Sequence, residues 1–286
     1  MNAPTPIESS IQRATELISD ADSLVITAGA GMGVDSGLPD FRGNDGFWKA
    51  YPALAKSQIG FTDIACPDTF ESNPKLAWGF YGHRLNLYRN TQPHMGFRYL
   101  RAISKHLDGG AFVYTSNVDG HFQRPGFPLN NIVECHGSIH HLQCQHTCNQ
   151  EIWEATKFTP EVDEEHCLLT SPLPTCRNCG SIARPNILMF GDWHWMNWRT
   201  EFQRARFHEW RETVYRPVVI EIGAGMAIPT VREFGERLNV PLIRINPTDA
   251  QVNRPGDVAL QMGALAAITA ISKSLVDMGF IEKTLE

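Results

Sequence analysis

Leu24-Val25-Ile26-Thr27-Ala28-Gly29-Ala30-Gly31-Met32-Gly33-Val34-Asp35-Ser36-Gly37-Leu38-Pro39-Asp40-Phe41-Arg42-Gly43 runs from an apolar stretch into a glycine-rich turn. A short apolar run closed by turn residues predicts a buried strand, here Leu24 to Thr27. Glycines directly after a strand let the backbone approach a pyrophosphate, whose charge is met by amide N–H groups at a helix start. The spacing is not G-x-G-x-x-G, because Val34 holds the place of the third glycine. No clear second strand brings an acidic residue about 20 positions later, so a conventional dehydrogenase is disfavoured. The glycines alone are equally compatible with a tight strand-to-helix turn that holds no ligand.

Outward from this stretch, comparable buried-strand signals recur at Ala111 to Thr115, Ile132 to Cys135, Ile187 to Phe190, Pro217 to Ile222 and Pro241 to Ile245. Several are separated by segments long enough for crossover helices, such as Val231 to Leu238, and Ser9 or Ser10 is placed to cap a first helix. This rhythm predicts an α/β fold: a Rossmann-like, doubly wound parallel sheet with its function at the carboxyl ends of the strands. Two stretches break the rhythm and predict a small domain. Residues 44–92 are aromatic-rich with a helical pattern, and residues 141–183 hold paired cysteines in polar sequence. The Rossmann-like domain then comprises residues 1–43, 93–140 and 184–286.

The chain has 286 residues, 42% of them hydrophobic, enough for one large core with a smaller satellite. Lys+Arg 25 against Asp+Glu 31 gives a net charge of -6 without a basic run, which argues against nucleic acid as a partner. No apolar segment approaches the roughly 18 residues of a bilayer span and no secretory leader is evident, so a cytoplasmic protein without a membrane partner is expected. Of the seven cysteines, Cys144-x3-Cys148 and Cys176-x2-Cys179 form two tight pairs at zinc-ribbon separation. Four thiolates suit tetrahedral Zn²⁺ with every position closed, which predicts a structural zinc. His146 lies within the first pair as a competing ligand, while Cys66, Cys135 and Cys167 have no partner spacing.

The whole glycine-rich string resembles the sirtuin signature G-A-G-x-S-x-x-S-G-I-P-D-F-R. Gly29, Ala30, Gly31, Ser36, Gly37, Pro39, Asp40, Phe41 and Arg42 match it, whereas Gly33 replaces the first serine and Leu38 an isoleucine. Thr115-Ser116-Asn117-Val118-Asp119-Gly120-His121-Phe122-Gln123-Arg124-Pro125-Gly126 is similar to T-Q-N-I-D-G-L-H-x-R-A-G, with Ser116 and Phe122 as departures. Glu134-Cys135-His136-Gly137-Ser138 matches the family's H-G element. A histidine at a strand's carboxyl end is well placed as a general base near neutral pH. Arg184-Pro185-Asn186-Ile187-Leu188-Met189-Phe190-Gly191-Asp192 resembles R-P-x-V-V-x-F-G-E, Gly223-Ala224-Gly225-Met226 stands where the family has G-T-S-L, and Ile245-Asn246 matches its I-N. Gly263-Ala264-Leu265 is a weaker match at the adenine site. These resemblances run from about Val25 to Leu265, nearly the whole chain.

The resemblance implies an NAD-dependent protein-lysine deacylase that transfers the acyl group to ADP-ribose. NAD would bind on Gly29, Ala30, Gly31, Ser36, Gly37, Asp40, Phe41, Arg42, Ser116, Asn117, Val118, Asp119, Gly223, Ala224, Gly225, Asn246 and Leu265. Asn117 and Asp119 would organise the nicotinamide pocket and His136 would act as base. Phe190, Gly191 and Asp192 would pair with an acylated protein substrate by strand addition. Tyr81 and Arg84 are three apart on a predicted helix, share a face, and suit a carboxylate. They resemble the Y-x-x-R of sirtuins that accept succinyl- and malonyl-lysine; the bland alternative is an aromatic core face with Arg84 reaching to solvent. Asn117-Val118-Asp119-x-x-Phe122-Gln123 followed by Gly126-Phe127 also resembles the macrodomain-linked sirtuin branch, which leaves an ADP-ribosyltransferase as a rival. A NAD hydrolase and a non-catalytic NAD-sensing module are the others.

Overall fold

The computed structural model describes residues 5–39 and 43–282. Helix α1 (Pro6–Ser19) begins earlier than expected, and Ser9 and Ser10 lie inside it. Its cap is Thr5: the Thr5 amide donates to Glu8 Oε2 at 2.7 Å and the Glu8 amide donates to Thr5 Oγ1 at 3.3 Å. This reciprocal pair, with Pro6 at the first helical position, is a stronger start signal than a lone serine.

Strands β1 (Ser23–Ala28), β2 (Ala111–Thr115) and β3 (Ile132–Glu134) make the first half of the main sheet. The next five belong elsewhere: β4 (Gly137–Cys144), β5 (Ile152–Glu154), β6 (Val162–Asp163), β7 (Leu168–Leu169) and β8 (Ala183–Ile187). The main sheet resumes with β9 (Pro217–Ile222), β10 (Leu242–Ile245) and β11 (Val258–Leu260). Its order is β11-β10-β9-β1-β2-β3, and every neighbouring pair is parallel. Chain direction across the sheet therefore reverses between β1 and β9, the crevice where doubly wound sheets bind ligands.

Alternation along β1 serves two cores. Leu24 and Ile26 pack with Ile220, Ile243, Phe97 and Ile268 on one face, whereas Val25 packs with Phe112, Val219 and Phe207 on the other. The helices that cover these faces are α1, α7 (Met95–Ser104), α8 (Trp198–Arg211), α9 (Thr230–Arg237) and α10 (Ala264–Asp277). On the second face, Tyr114 of β2 stacks on Phe234 of α9 with ring centroids 3.6 Å apart.

Between α1 and α7 the chain forms α2 (Gly43–Ala50), α3 (Pro52–Lys56), α4 (Phe61–Ile64), α5 (Pro67–Ser72) and α6 (Pro74–Asn90). These helices and the cysteine-bearing segment share one core, in which Phe70, Trp78 and Phe80 meet Leu142, Trp153, Leu169 and Ile187. Polar ties join the two insertions: Trp78 Nε1 donates to the Ala183 carbonyl at 2.9 Å and Asn86 Nδ2 to that of Pro160 at 2.8 Å.

The expected strand Ile187 to Phe190 is displaced. β8 pairs antiparallel with β4 in a separate three-stranded sheet and stops at Ile187. Leu188 to Phe190 continue outside any strand, held by the Leu188 amide on the His136 carbonyl at 3.0 Å and the Phe190 amide on that of Ala65 at 2.9 Å.

Candidate active site

The carboxyl ends of β1, β2, β3 and β9 open onto one cavity of about 590 Å³, closed on its far side by the small lobe. From the glycine-rich turn it takes Gly29 and Ala30; from the loop after β9 it takes Ala224 and Gly225. These two loops touch back to back. A Cβ on Gly31 would lie 2.7 Å from the Gly223 Cα, and Gly223 itself has φ +61, so neither place accommodates a side chain. The Gly31 amide donates to the Gly223 carbonyl at 3.0 Å, which locks the approach.

After β2, Ser116, Asn117, Val118 and Asp119 all line the cavity. Thr115 sets their course: its hydroxyl donates to the Ala28 carbonyl at 2.9 Å and accepts the Asn117 amide at 3.0 Å. Asn117 Nδ2 donates to the Gly29 carbonyl at 3.0 Å, tying this loop to the glycine turn. Asp119 Oδ1 accepts the His121 amide at 2.8 Å, and His140 Nε2 donates to the Asp119 carbonyl at 2.8 Å. Burial raises the Asp119 carboxyl above the ordinary carboxylate range, against the opposing pull of His121.

His136 enters the cavity from the end of β3. Burial, reinforced by the Arg204 charge, lowers its imidazole below the ordinary histidine value. The ring is therefore neutral at pH 7, the form a general base needs.

The opposite wall comes from α6. Tyr81, Arg84 and Tyr88 follow one another along one face and all line the cavity, together with Phe61 and Phe190. Arg84 donates from Nε (2.9 Å) and Nη2 (2.6 Å) to the Tyr88 hydroxyl and lies 5.2 Å from the Phe80 ring centroid. Tyr81 stacks on Phe70 at 5.6 Å, and burial raises its phenol so that it stays protonated.

Several expected site residues are not part of the cavity lining. Ser36 accepts the His94 amide at 3.0 Å, and Gly37 ends the turn with φ +89. Asn246 is fully buried: its Nδ2 donates to the Ala224 carbonyl at 3.0 Å and its Oδ1 accepts the amides of Thr248 and Asp249, each at 3.0 Å. The Leu265 amide donates to Asp35 at 2.7 Å. Gly191 (φ +65) turns the chain beyond Phe190. The fully buried Asp192 carboxylate is held in two-point fashion by Arg184 at 2.7 and 2.8 Å, which leaves its main chain as the part that fits the expected strand addition. A charge so paired is not available to a peptide. Asp40, Phe41 and Arg42 lie outside the described residues. The sequence reading missed Leu38, Tyr88, Thr230 and Asp249 in the lining. Of these, Tyr88 was legible as the next helical repeat after Tyr81 and Arg84.

Away from the cavity, the sulfurs of Cys144, Cys148, Cys176 and Cys179 lie within 4.8 Å of one another, with Cys144 to Cys179 at 3.7 Å and Cys148 to Cys176 at 3.5 Å. A tetrahedral zinc with bonds of about 2.3 Å spaces its sulfurs about 3.8 Å apart, so the donor set fits that ion. Asn178 Nδ2 donates to Cys148 Sγ at 3.4 Å, the kind of outer contact that steadies a thiolate ligand. His146 is exposed and outside the cluster.

The Sir2 family model matches residues 29–210. An NAD-dependent protein deacylase of Aquifex aeolicus is 32% identical over 170 residues, covering 59% of this chain and 62% of that protein. Another, from Leptospira interrogans serogroup Icterohaemorrhagiae serovar copenhageni, is 28% identical over 252 residues, covering 87% and 92%. Among solved structures, a Sir2 homologue bound to ADP ribose superimposes with a TM-score of 0.71 at 24% identity, covering 96% of this chain and 99% of that one. A Sir2 homologue in complex with NAD gives 0.69 at 23%, with 94% of each chain covered. The match thus spans about three fifths of the length of the Aquifex relative and nearly all of the Leptospira one. With its fold, its loops and its sequence in agreement, the chain belongs to the Sir2 family.

Proposed function

We propose that this chain is an NAD-dependent protein-lysine deacylase that favours acidic acyl groups and yields free lysine, nicotinamide and O-acyl-ADP-ribose. The observation that carries the reading is the single cavity joining the glycine loops, the Asn117–Asp119 loop and His136 to the Tyr81–Arg84 wall of α6. NAD, when bound, would supply a ribose C1′ that bonds to the acyl-lysine carbonyl oxygen as its bond to nicotinamide breaks, with one water consumed in releasing the lysine amine. The chain's part is to hold and orient. Gly29, Ala30, Ala224 and Gly225 offer a backbone surface to the dinucleotide; Asn117 and Asp119 face the nicotinamide end. His136, neutral at pH 7, takes the proton of a ribose hydroxyl. Arg84 and Tyr81 meet the acyl carboxylate with a charged and a neutral donor. Four thiolates close the zinc site, leaving that metal a structural task remote from the chemistry. Related proteins carry NAD-dependent protein deacylase activity, and one Sir2 structure of the same fold holds a deacetylated p53 peptide with 3′-O-acetyl ADP ribose.

The test is incubation with NAD and matched acetyl-, malonyl- and succinyl-lysine peptides, with products read by mass spectrometry. Deacylated peptide plus acyl-ADP-ribose, with succinyl at least equal to acetyl, is expected. A peptide that gains ADP-ribose would transfer the assignment to ADP-ribosylation, ADP-ribose formed without peptide to NAD hydrolysis, and intact NAD to sensing.

A further inference from the structure

α7 is anchored in the main core by Phe97, Leu100 and Ile103, yet its N-cap reaches the cofactor loop 62 residues earlier through one side chain. His94 caps the helix: its Nδ1 accepts the Gly96 amide at 3.0 Å. Gly96 permits this, since a Cβ there would lie 2.6 Å from the imidazole Cε1. The acceptor role leaves the ring proton on Nε2, and Nε2 donates to the Met32 carbonyl at 2.9 Å. The His94 amide completes the joint by donating to Ser36 Oγ at 3.0 Å.

The loop so gripped has little strength of its own. Between Gly29 and Gly37 it consists of two single-turn 3₁₀ segments, Ala30–Met32 and Val34–Ser36, whose internal bonds are few and of poorer geometry than an α-helix offers. The Gly31–Gly223 contact fixes one end, and the imidazole bridge fixes the middle.

We infer that His94 is a positioning residue for cofactor binding: one neutral imidazole bolts the glycine-rich loop to α7 and presets its backbone for the dinucleotide. Both ring nitrogens are engaged, so the neutral tautomer is the one that completes the joint. Burial favours the same form by lowering the ring below the ordinary histidine value, although the Met32 carbonyl and Asp35 act in the opposite sense. His121 also faces the ring and adds to the lowering. A preset loop binds without the ordering cost that a loose one incurs.

This inference rests on the proposed use of NAD, and the experiment separates the two. His94→Asn keeps a good helix cap but is too short to reach the Met32 carbonyl; His94→Ala loses both functions. Calorimetric titration with ADP-ribose and steady-state kinetics against NAD are run on the parent and both variants. His94→Asn is expected to weaken ADP-ribose and raise the NAD KM by about three- to tenfold, the worth of one neutral hydrogen bond, with kcat within about twofold and Tm unchanged. His94→Ala should show the same binding loss together with a lower Tm. A parent that binds no ADP-ribose would overturn the NAD reading and this inference with it. A parent that binds, with His94→Asn equal to it or weakened only where Tm also falls, would overturn the inference alone.

Discussion

The two walls of the cavity are built from different material. On the cofactor side the lining is mostly main chain: Gly29, Ala30, Ala224 and Gly225 lie where two loops meet, with a glycine on each side of the contact. On the acyl side it is side chain: Tyr81, Arg84 and Tyr88 project from one regular helix. A backbone surface can be changed only by moving the loop, whereas a helix face changes one residue at a time. Under the proposed function, the main-chain wall would fix the class of reaction and the α6 wall would select among its substrates. The walls also rest largely on separate cores, one in the main sheet and one shared between the helices and the cysteine module, although Leu38 and Val118 of the cofactor loops join the second.

Removing the metal tests that separation with the largest expected effect. Cys144 and Cys176 belong to the small-lobe core, so loss of a zinc bound at about one per chain should loosen the acyl wall and leave the sheet intact. Chelation should abolish deacylation while ADP-ribose titration still gives saturable binding. If both walls fail together, or if elemental analysis of fresh protein finds no zinc, the two-core picture is wrong.

Within the cofactor wall, His136→Ala should lower kcat by about 10²–10⁴-fold, the range of a positioned general base, with ADP-ribose affinity little changed. Because the folded environment lowers the His136 value, the base is already unprotonated at pH 7. Activity should hold steady down to about 6.5, the ordinary histidine value, and fall only below it. An acid limb above that value in the kcat/KM profile would point to another group.

What the sequence disclosed follows from the same difference in material. The Gly29–Gly37 turn and the loop after β2 were readable because backbone approach demands glycine and strand ends demand particular polar residues, so their chemistry is written locally. His94 gave no such signal: its meaning lies in contacts with Met32 and Ser36, 62 and 58 positions away. Asp192 is the opposite case. It sits in a recognisable string, but its pairing with Arg184 is a matter of burial that no spacing reveals. Leu188 to Phe190 read as a buried strand by composition, yet they lie past the last pairing with β4.

On the acyl wall, Arg84→Met should remove the preference for acidic groups. A charge-assisted hydrogen bond contributes about 1.5–3 kcal/mol, which corresponds to about 10- to 150-fold in kcat/KM for succinyl peptides. Acetyl peptides should change by less than about threefold. Equal losses on both would make Arg84 a support for Phe80 and Tyr88, which its guanidinium also contacts.

The smallest effect belongs to Tyr81→Phe, and it is the finest probe of whether side chains on α6 act singly. The ring is buried and stacked on Phe70, so phenylalanine keeps the packing and removes only the hydroxyl. Burial raises the phenol, which keeps it a neutral donor throughout the working pH range. A neutral hydrogen bond contributes about 0.5–1.5 kcal/mol, so kcat/KM for succinyl peptides should fall by about two- to tenfold, almost entirely through KM. The loss should be flat between pH 6 and 9, the expectation being about that range for a group that does not titrate there. Acetyl-lysine has no carboxylate for the phenol to meet, so its kinetics should stay at the parental level. A matching loss on acetyl peptides would show that the hydroxyl shapes the whole channel, and the acyl wall would then behave like the cofactor wall, as a unit.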